Sequence, residues 1–219
     1  MQNHLKQIIS LSFMFQRKQV FIISLLTLFL SLSACEKKLR YLGRHDVIAE
    51  GDTNYYKIPD FSFLNQDSLV VDQKTLSNYI YVTDFFFTKC PSICPIMAQN
   101  LLIVHEALKD EARVKIVSHT LDPAYDTPSV LKKYAFNLGI DTKQWMFLWG
   151  SKDSIYDIAE KYYIAAVEDD EVPGGINHSG KLVLVDREGH VRGFYEGTKE
   201  YGIEELLKDI PVLLKEYEN

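Results

Sequence analysis

Apolar residues recur along this chain in three rhythms, and each rhythm predicts an element. Near-continuous apolar runs occupy Tyr79–Phe87, Val114–Ser118, Trp145–Trp149 and Leu182–Val185. They are rich in β-branched and aromatic side chains, as strands covered on both faces require. After the first run, Met97, Leu101, Val104 and Leu108 fall at steps of 4, 3 and 4. That is one stripe of a 3.6-residue period and predicts a helix. Alternation through Pro59-Asp60-Phe61-Ser62-Phe63, with Ser68-Leu69-Val70-Val71 returning, predicts a short hairpin ahead of these.

Punctuation marks the remaining elements. Asp126-Thr127-Pro128 offers cap-type residues with proline just inside a helix start, and Gly139 ends that helix after Leu138. Ser151 caps another helix, which runs to about Tyr162. Asp186-Arg187-Glu188-Gly189 turns the fourth strand into a return strand, Val191 to Tyr195. A last amphipathic helix starts near Gly202, and Pro211 is expected to kink or split it. Strands alternating with helices, closed by a strand hairpin, predict an α/β fold with a central mixed sheet flanked by helices. Two cysteines stand at the carboxyl end of the first central strand, where open α/β sheets place function. The order of elements and this placement point to a thioredoxin-like fold.

The first 34 residues follow a different pattern. Lys6, Arg17 and Lys18 occur there without any acid, Val20 to Leu32 is almost purely apolar, and Leu32-Ser33-Ala34-Cys35 closes the run. A charged start, a short apolar core and a small-residue cleavage site predict a secretory signal over residues 1–34. Leu-Ser-Ala-Cys also resembles the bacterial lipobox, which makes Cys35 the lipidated first residue of an exported chain anchored to a membrane with its domain outside the cytoplasm. Residues 35–58 are charged and lack clear periodicity, and read as a flexible tether. Residues 59–219 form the domain.

Removal of the signal leaves 185 residues, enough for one domain with a sizeable core. The 21 Lys and Arg that remain face 30 Asp and Glu, a formal charge of −9 against −6 for the whole chain. That sign excludes nucleic acid as a partner and gives no attraction to anionic lipid.

With Cys35 accounted for, Cys90 and Cys94 are the thiols left in the domain. At a helix start both sulfurs share one face of a turn, and unpaired N–H groups there favour thiolates. Such a pair can cycle between dithiol and disulfide, or grip one soft metal ion. A closed structural zinc site needs four ligands, and the chain has neither a second cysteine pair nor an H-x3-H. Two thiolates with one imidazole suit copper instead. Of the histidines, His4 falls in the signal and His45 in the tether, while His105 is mid-helix and His190 is expected to be exposed after a turn. His119 ends the second central strand. His178 stands in an irregular loop just before the fourth, a segment that passes beside the cysteine loop in this fold.

Three segments together resemble the Sco/SenC family. Phe87-Thr88-Lys89-Cys90-Pro91-Ser92-Ile93-Cys94-Pro95 is similar to its F-T-x-C-P-x-x-C-P signature. Ser118-His119-Thr120-Leu121-Asp122-Pro123-Ala124-Tyr125-Asp126-Thr127-Pro128 is similar to its S-x-x-x-D-P-x-x-D-T-P segment, and Asn177-His178-Ser179 to its D-H-[ST] segment. The resemblance covers roughly residues 61–214. It implies a membrane-tethered thioredoxin-like copper metallochaperone that serves the copper-bearing subunit of cytochrome c oxidase, taking Cu(I) or Cu(II) through Cys90, Cys94 and His178. Asp122 is then expected to tune the thiols. The same cysteines also support the alternative of a thiol–disulfide oxidoreductase acting on an oxidase subunit or another exported partner. Tyr125 and Asn177 replace the family's usual arginine and aspartate. His119 stands where an apolar residue is common and reads as a partly buried strand-end histidine, with a further nitrogen for copper as the alternative.

Overall fold

The computed structural model describes residues 37–49 and 52–218. The signal and the lipid attachment at Cys35 lie outside the described residues. Within the span expected as a flexible tether, described residues make contacts with the rest of the domain. Strand β1 (His45–Ala49) pairs antiparallel with β2 (Asp52–Tyr55). Before it, Leu39 is buried, and Leu42 N–H donates to the Val191 carbonyl at 2.8 Å. The fixing groups here are backbone amides and a stack of Tyr41 on Tyr55 at 4.1 Å, so no apolar period announces them.

The expected early hairpin forms as β3 (Ser62–Asn65) and β4 (Val70–Asp72), followed by a single turn α1 (Gln73–Leu76) closed by an Asp72/Thr75 capping box. Strand β5 (Ile80–Phe86) is buried along its whole length and leads into α2 (Ile93–Ala107). Then follow β6 (Val114–Thr120), α3 (Pro128–Leu138), β7 (Trp145–Trp149) and α4 (Lys152–Lys161). Gly139 ends α3 in the left-handed conformation, φ 69°. Ser151 caps α4 by accepting from the Ser154 amide at 3.2 Å. A small hairpin, β8 (Ala166–Glu168) with β9 (Ile176–His178), precedes β10 (Lys181–Val185) and β11 (Val191–Glu196). The last helix, α5 (Glu200–Lys215), runs through Pro211 without splitting. Pro211 lies on its exposed side, while Leu206, Ile210, Leu213 and Leu214 stay buried around it.

Seven strands form one mixed sheet in the order β11-β10-β5-β6-β7-β3-β4. β5, β6 and β7 run parallel, while β10 and β3 flank them antiparallel. Alternation along β5 sends Val82, Asp84 and Phe86 to one face and Tyr81, Thr83 and Phe85 to the other. The first face packs against α2, α3 and α5 through Met97, Leu101, Leu131, Leu206 and Ile210. The second packs Phe85, Val117 and Leu148 against Ile155, Ile158 and Tyr162 of α4 and its end. Both cysteines belong to the first core, at the carboxyl edge of β5.

Candidate metal centre

Cys90 lies in the loop leaving β5, and Cys94 lies in the first turn of α2. The two sulfurs therefore do not share a helical turn, as their spacing suggests. They meet because the loop folds back, with Cys90 N–H donating to the Phe87 carbonyl at 3.1 Å. His178 ends β9, whose partner Ala166 holds it in register. Its Nε2 lies 3.3 Å from the Cys94 Sγ, and its Nδ1 lies 3.2 Å from the Ser179 carbonyl. A carbonyl only accepts, so Nδ1 carries the proton and the Nε2 lone pair faces the sulfurs. One donor atom from each of Cys90, Cys94 and His178 falls within 4.8 Å of the others, and all three residues are buried. Among the described residues this is the only such group.

Packing sets the imidazole. Its ring meets Phe87 edge to face at 5.9 Å between centroids. Over Phe87 runs the backbone of Gly174, at φ +95°, where a Cβ would stand 2.9 Å from the ring and 3.1 Å from Pro91. Only glycine allows the hairpin tip to press this closely in that conformation.

The two thiols differ in acidity. Burial raises the Cys90 thiol, but hydrogen bonds from the Cys94 thiol, the Cys94 and Ser92 amides and the Ser92 hydroxyl outweigh it and bring it below the ordinary value. Burial, reinforced by Cys90, pushes Cys94 well above it, so the helix start favours only one thiolate. Burial also lowers His178, which leaves a neutral imidazole at pH 7. Behind Cys94 lies a cavity of about 10 Å³ bordered by Asp84, Ser118 and Tyr134. Asp84 accepts from Ser118 Oγ at 2.5 Å, and burial raises its carboxyl to about 7.

Other expected participants stand elsewhere. His119 does not offer a nitrogen to the cluster. It points to the opposite sheet face from Ser118, between Phe85 and Phe63, with Nδ1 3.1 Å from Thr83 Oγ1. Burial there pushes it down to about 3. His190 is buried rather than exposed, its Nδ1 donating to the Tyr56 carbonyl at 2.8 Å. Asp122 organises its own turn, accepting from the Tyr125 amide at 3.3 Å, and makes no hydrogen bond to either thiol. The acid that reaches the cysteine loop is Asp126, which the sequence offers only as a helix cap. Thr127 takes the N-cap position, and the buried Asp126 carboxylate accepts from the Thr88 amide at 2.9 Å, the Thr88 hydroxyl and the Thr120 hydroxyl at 2.6 Å. Its pairing with Thr88 spans 38 residues, so no local pattern reveals it. Tyr125, in place of the family's arginine, holds Lys89 Nζ 3.3 Å from its ring centroid.

A dithiol at the carboxyl end of a central strand in a mixed sheet of this order defines the class: a thioredoxin-like α/β protein. Residues 49–215 match the profile of the family described as SCO1/SenC. The chain belongs to that family. It is 32% identical over 157 residues to the SCO1 protein homolog of Bacillus subtilis, covering 71% of this chain and 81% of that protein. A protein of Stutzerimonas stutzeri named for copper binding is 29% identical over 158 residues, 70% of this chain and 76% of that one. The solved structure of BsSco, described as a cytochrome c oxidase assembly protein with a disulfide switch, superposes with a TM-score of 0.66 at 29% identity. The match covers 81% of this chain and 98% of that one.

Proposed function

We propose that this chain is a copper metallochaperone that takes one copper ion through Cys90, Cys94 and His178 and passes it on during assembly of a cytochrome c oxidase. The observation that carries this reading is the aim of His178 Nε2. Its lone pair faces the sulfurs because Nδ1 is committed to the Ser179 carbonyl. Metal–sulfur bonds of about 2.3 Å set donors roughly 4 Å apart around a three-coordinate ion. A group already within 4.8 Å needs only a small contraction to reach that spacing. Soft sulfur donors and low coordination favour copper. Three protein ligands leave a position open through which a partner's thiolates displace them one at a time. The copper-binding relative and the oxidase-assembly description of BsSco agree with this role.

The recipient we propose is the copper-bearing subunit of the oxidase. Export under the signal over residues 1–34 and a lipid on Cys35 would hold the domain outside the cytoplasm, on the side where that subunit's copper site matures. Asp122 has no part in this reading beyond its turn.

The split acidities of the cysteines favour a second reading, a thiol–disulfide oxidoreductase in which Cys90 attacks and Cys94 resolves. One comparison in cells separates the two. In a strain lacking the native chain, Cys90→Ser and His178→Ala are both expected to abolish assembly of active oxidase. Assembly restored by His178→Ala, with Cys90→Ser still defective, would establish the oxidoreductase instead.

A further inference from the structure

We infer that Asp126 is a positioning residue for the metal centre: its carboxylate fixes the loop that presents Cys90, acting by shape rather than by charge. The inference rests on the copper reading above for its main readout. Asp126 has no exposed surface, yet no cation pairs with it among the described residues. Its partners are three hydrogen-bond donors from two separate elements. The Thr88 amide and hydroxyl come from the cysteine loop, and the Thr120 hydroxyl comes from the end of β6. A buried carboxylate is tolerated when its oxygens are this well filled.

The consequence for the site follows along the chain. Thr88 lies between Phe87, which packs against His178, and Cys90. Holding Thr88 to β6 fixes Phe87 on one side. On the other it fixes the turn in which Cys90 N–H reaches the Phe87 carbonyl. The same clamp keeps the Cys90 Sγ beside the Ser92 hydroxyl, 3.6 Å away. A second tie, Leu121 N–H to the Phe86 carbonyl at 2.7 Å, docks the two strand ends but leaves the loop beyond Phe86 unheld. Among the hydrogen bonds of the described residues, those of Asp126 bridge that loop to β6.

The geometry separates shape from charge. In Asp126→Asn, the amide oxygen in the place of Oδ2 still accepts from the Thr88 amide and the Thr120 hydroxyl. The amide nitrogen in the place of Oδ1 donates to the Thr88 hydroxyl once that group turns round. All three links survive while the charge is lost. Asp126→Ala loses all of them.

The test uses the exported form of the full chain, wild type and variants, with two readouts: copper titration under reducing conditions, and the alkylation rate of Cys90 by iodoacetamide at pH 7 without metal. Partners of metal ligands are worth about 10- to 100-fold in affinity, so Asp126→Ala is expected to weaken copper binding at least tenfold and to slow Cys90 alkylation. Asp126→Asn is expected to restore both to within about threefold of wild type. The inference is overturned if Asp126→Ala matches wild type in both readouts, or if Asp126→Asn is as impaired as alanine. If Asp126→Ala fails to fold by circular dichroism, Thr88→Val decides, because it keeps the amide link and loses the hydroxyl. An intermediate loss in both readouts supports the clamp, and wild-type behaviour refutes it. Should the wild type itself bind no copper, the chaperone reading fails, and alkylation alone still judges Asp126.

Discussion

At the scale of single residues, two buried titratable groups lie back to back across the sheet and bind protons in opposite senses. Asp84 rises to about 7 and His119 falls to about 3, both chiefly through burial. Above about pH 4 the folded chain keeps an Asp84 proton that the unfolded chain has lost, so this residue's contribution to stability falls as pH rises towards 7. Below about pH 6.5 the unfolded chain gains a His119 proton that the folded chain refuses, so stability falls as pH drops. Between these limits the two slopes, each about 1.4 kcal/mol per pH unit at most, cancel. Urea unfolding at pH 4.5 and 6.5 exposes them separately. Asp84→Asn is expected to become more stable towards pH 6.5 and His119→Phe less stable. Unchanged slopes in both variants would show that neither group is held as described. Residues differ in how openly the sequence declares them. Cys90, Cys94 and His178 stand in short recognisable segments and come together as those segments imply. His119, read as a buried strand-end residue, stays out of the site because one step along a strand reverses its face. Asp126 stays hidden because its role exists only once β6 and the cysteine loop are neighbours.

Elements follow the same logic. Long apolar runs give β5, β6, β7 and β10 within two residues, cap residues and Gly139 give α3, and a 3.6-residue stripe marks α2, which begins four residues ahead of that stripe. The hairpin that carries His178 is illegible, because strands of three residues contain less than two full alternations. Its position depends instead on Gly174 lying flat on Phe87. Gly174→Ala is strained by its φ and by the ring, and is expected to cost at least about 1 kcal/mol. Since the displaced strand ends at His178, copper affinity is expected to fall about tenfold while dithiol exchange with glutathione persists. Equal copper affinity in the variant would disconnect the hairpin from the site.

For the whole molecule, one buried guanidinium adds to the backbone bonds that tie the segment read as a tether into the domain. Arg192 bonds Asp186 at 3.0 Å and Glu216 at 2.8 Å, donates to the Leu39 carbonyl at 2.7 Å and stacks on Tyr41. Polar composition hid this, because the link is a hydrogen bond to a backbone carbonyl and a ring stack, joining residues about 150 positions apart. Arg192→Met leaves the buried Asp186 carboxylate without its cation and removes the partner of the half-buried Glu216, at a cost of about 3 kcal/mol or more. For a domain of this size that lowers Tm by roughly 10 °C. Amide exchange at Leu42, which bonds the Val191 carbonyl, is expected to quicken in step. A variant with wild-type Tm and exchange would return the segment to a tether.

The central claim is that two thiolates and one imidazole seat a single copper ion. Anaerobic copper titration of the reduced chain, wild type beside His178→Ala, tests it most directly. One equivalent bound tightly by wild type, and loss of that stoichiometric uptake in His178→Ala with both thiols still free to react, is the expected result. Equal, tight uptake by both proteins would contradict it.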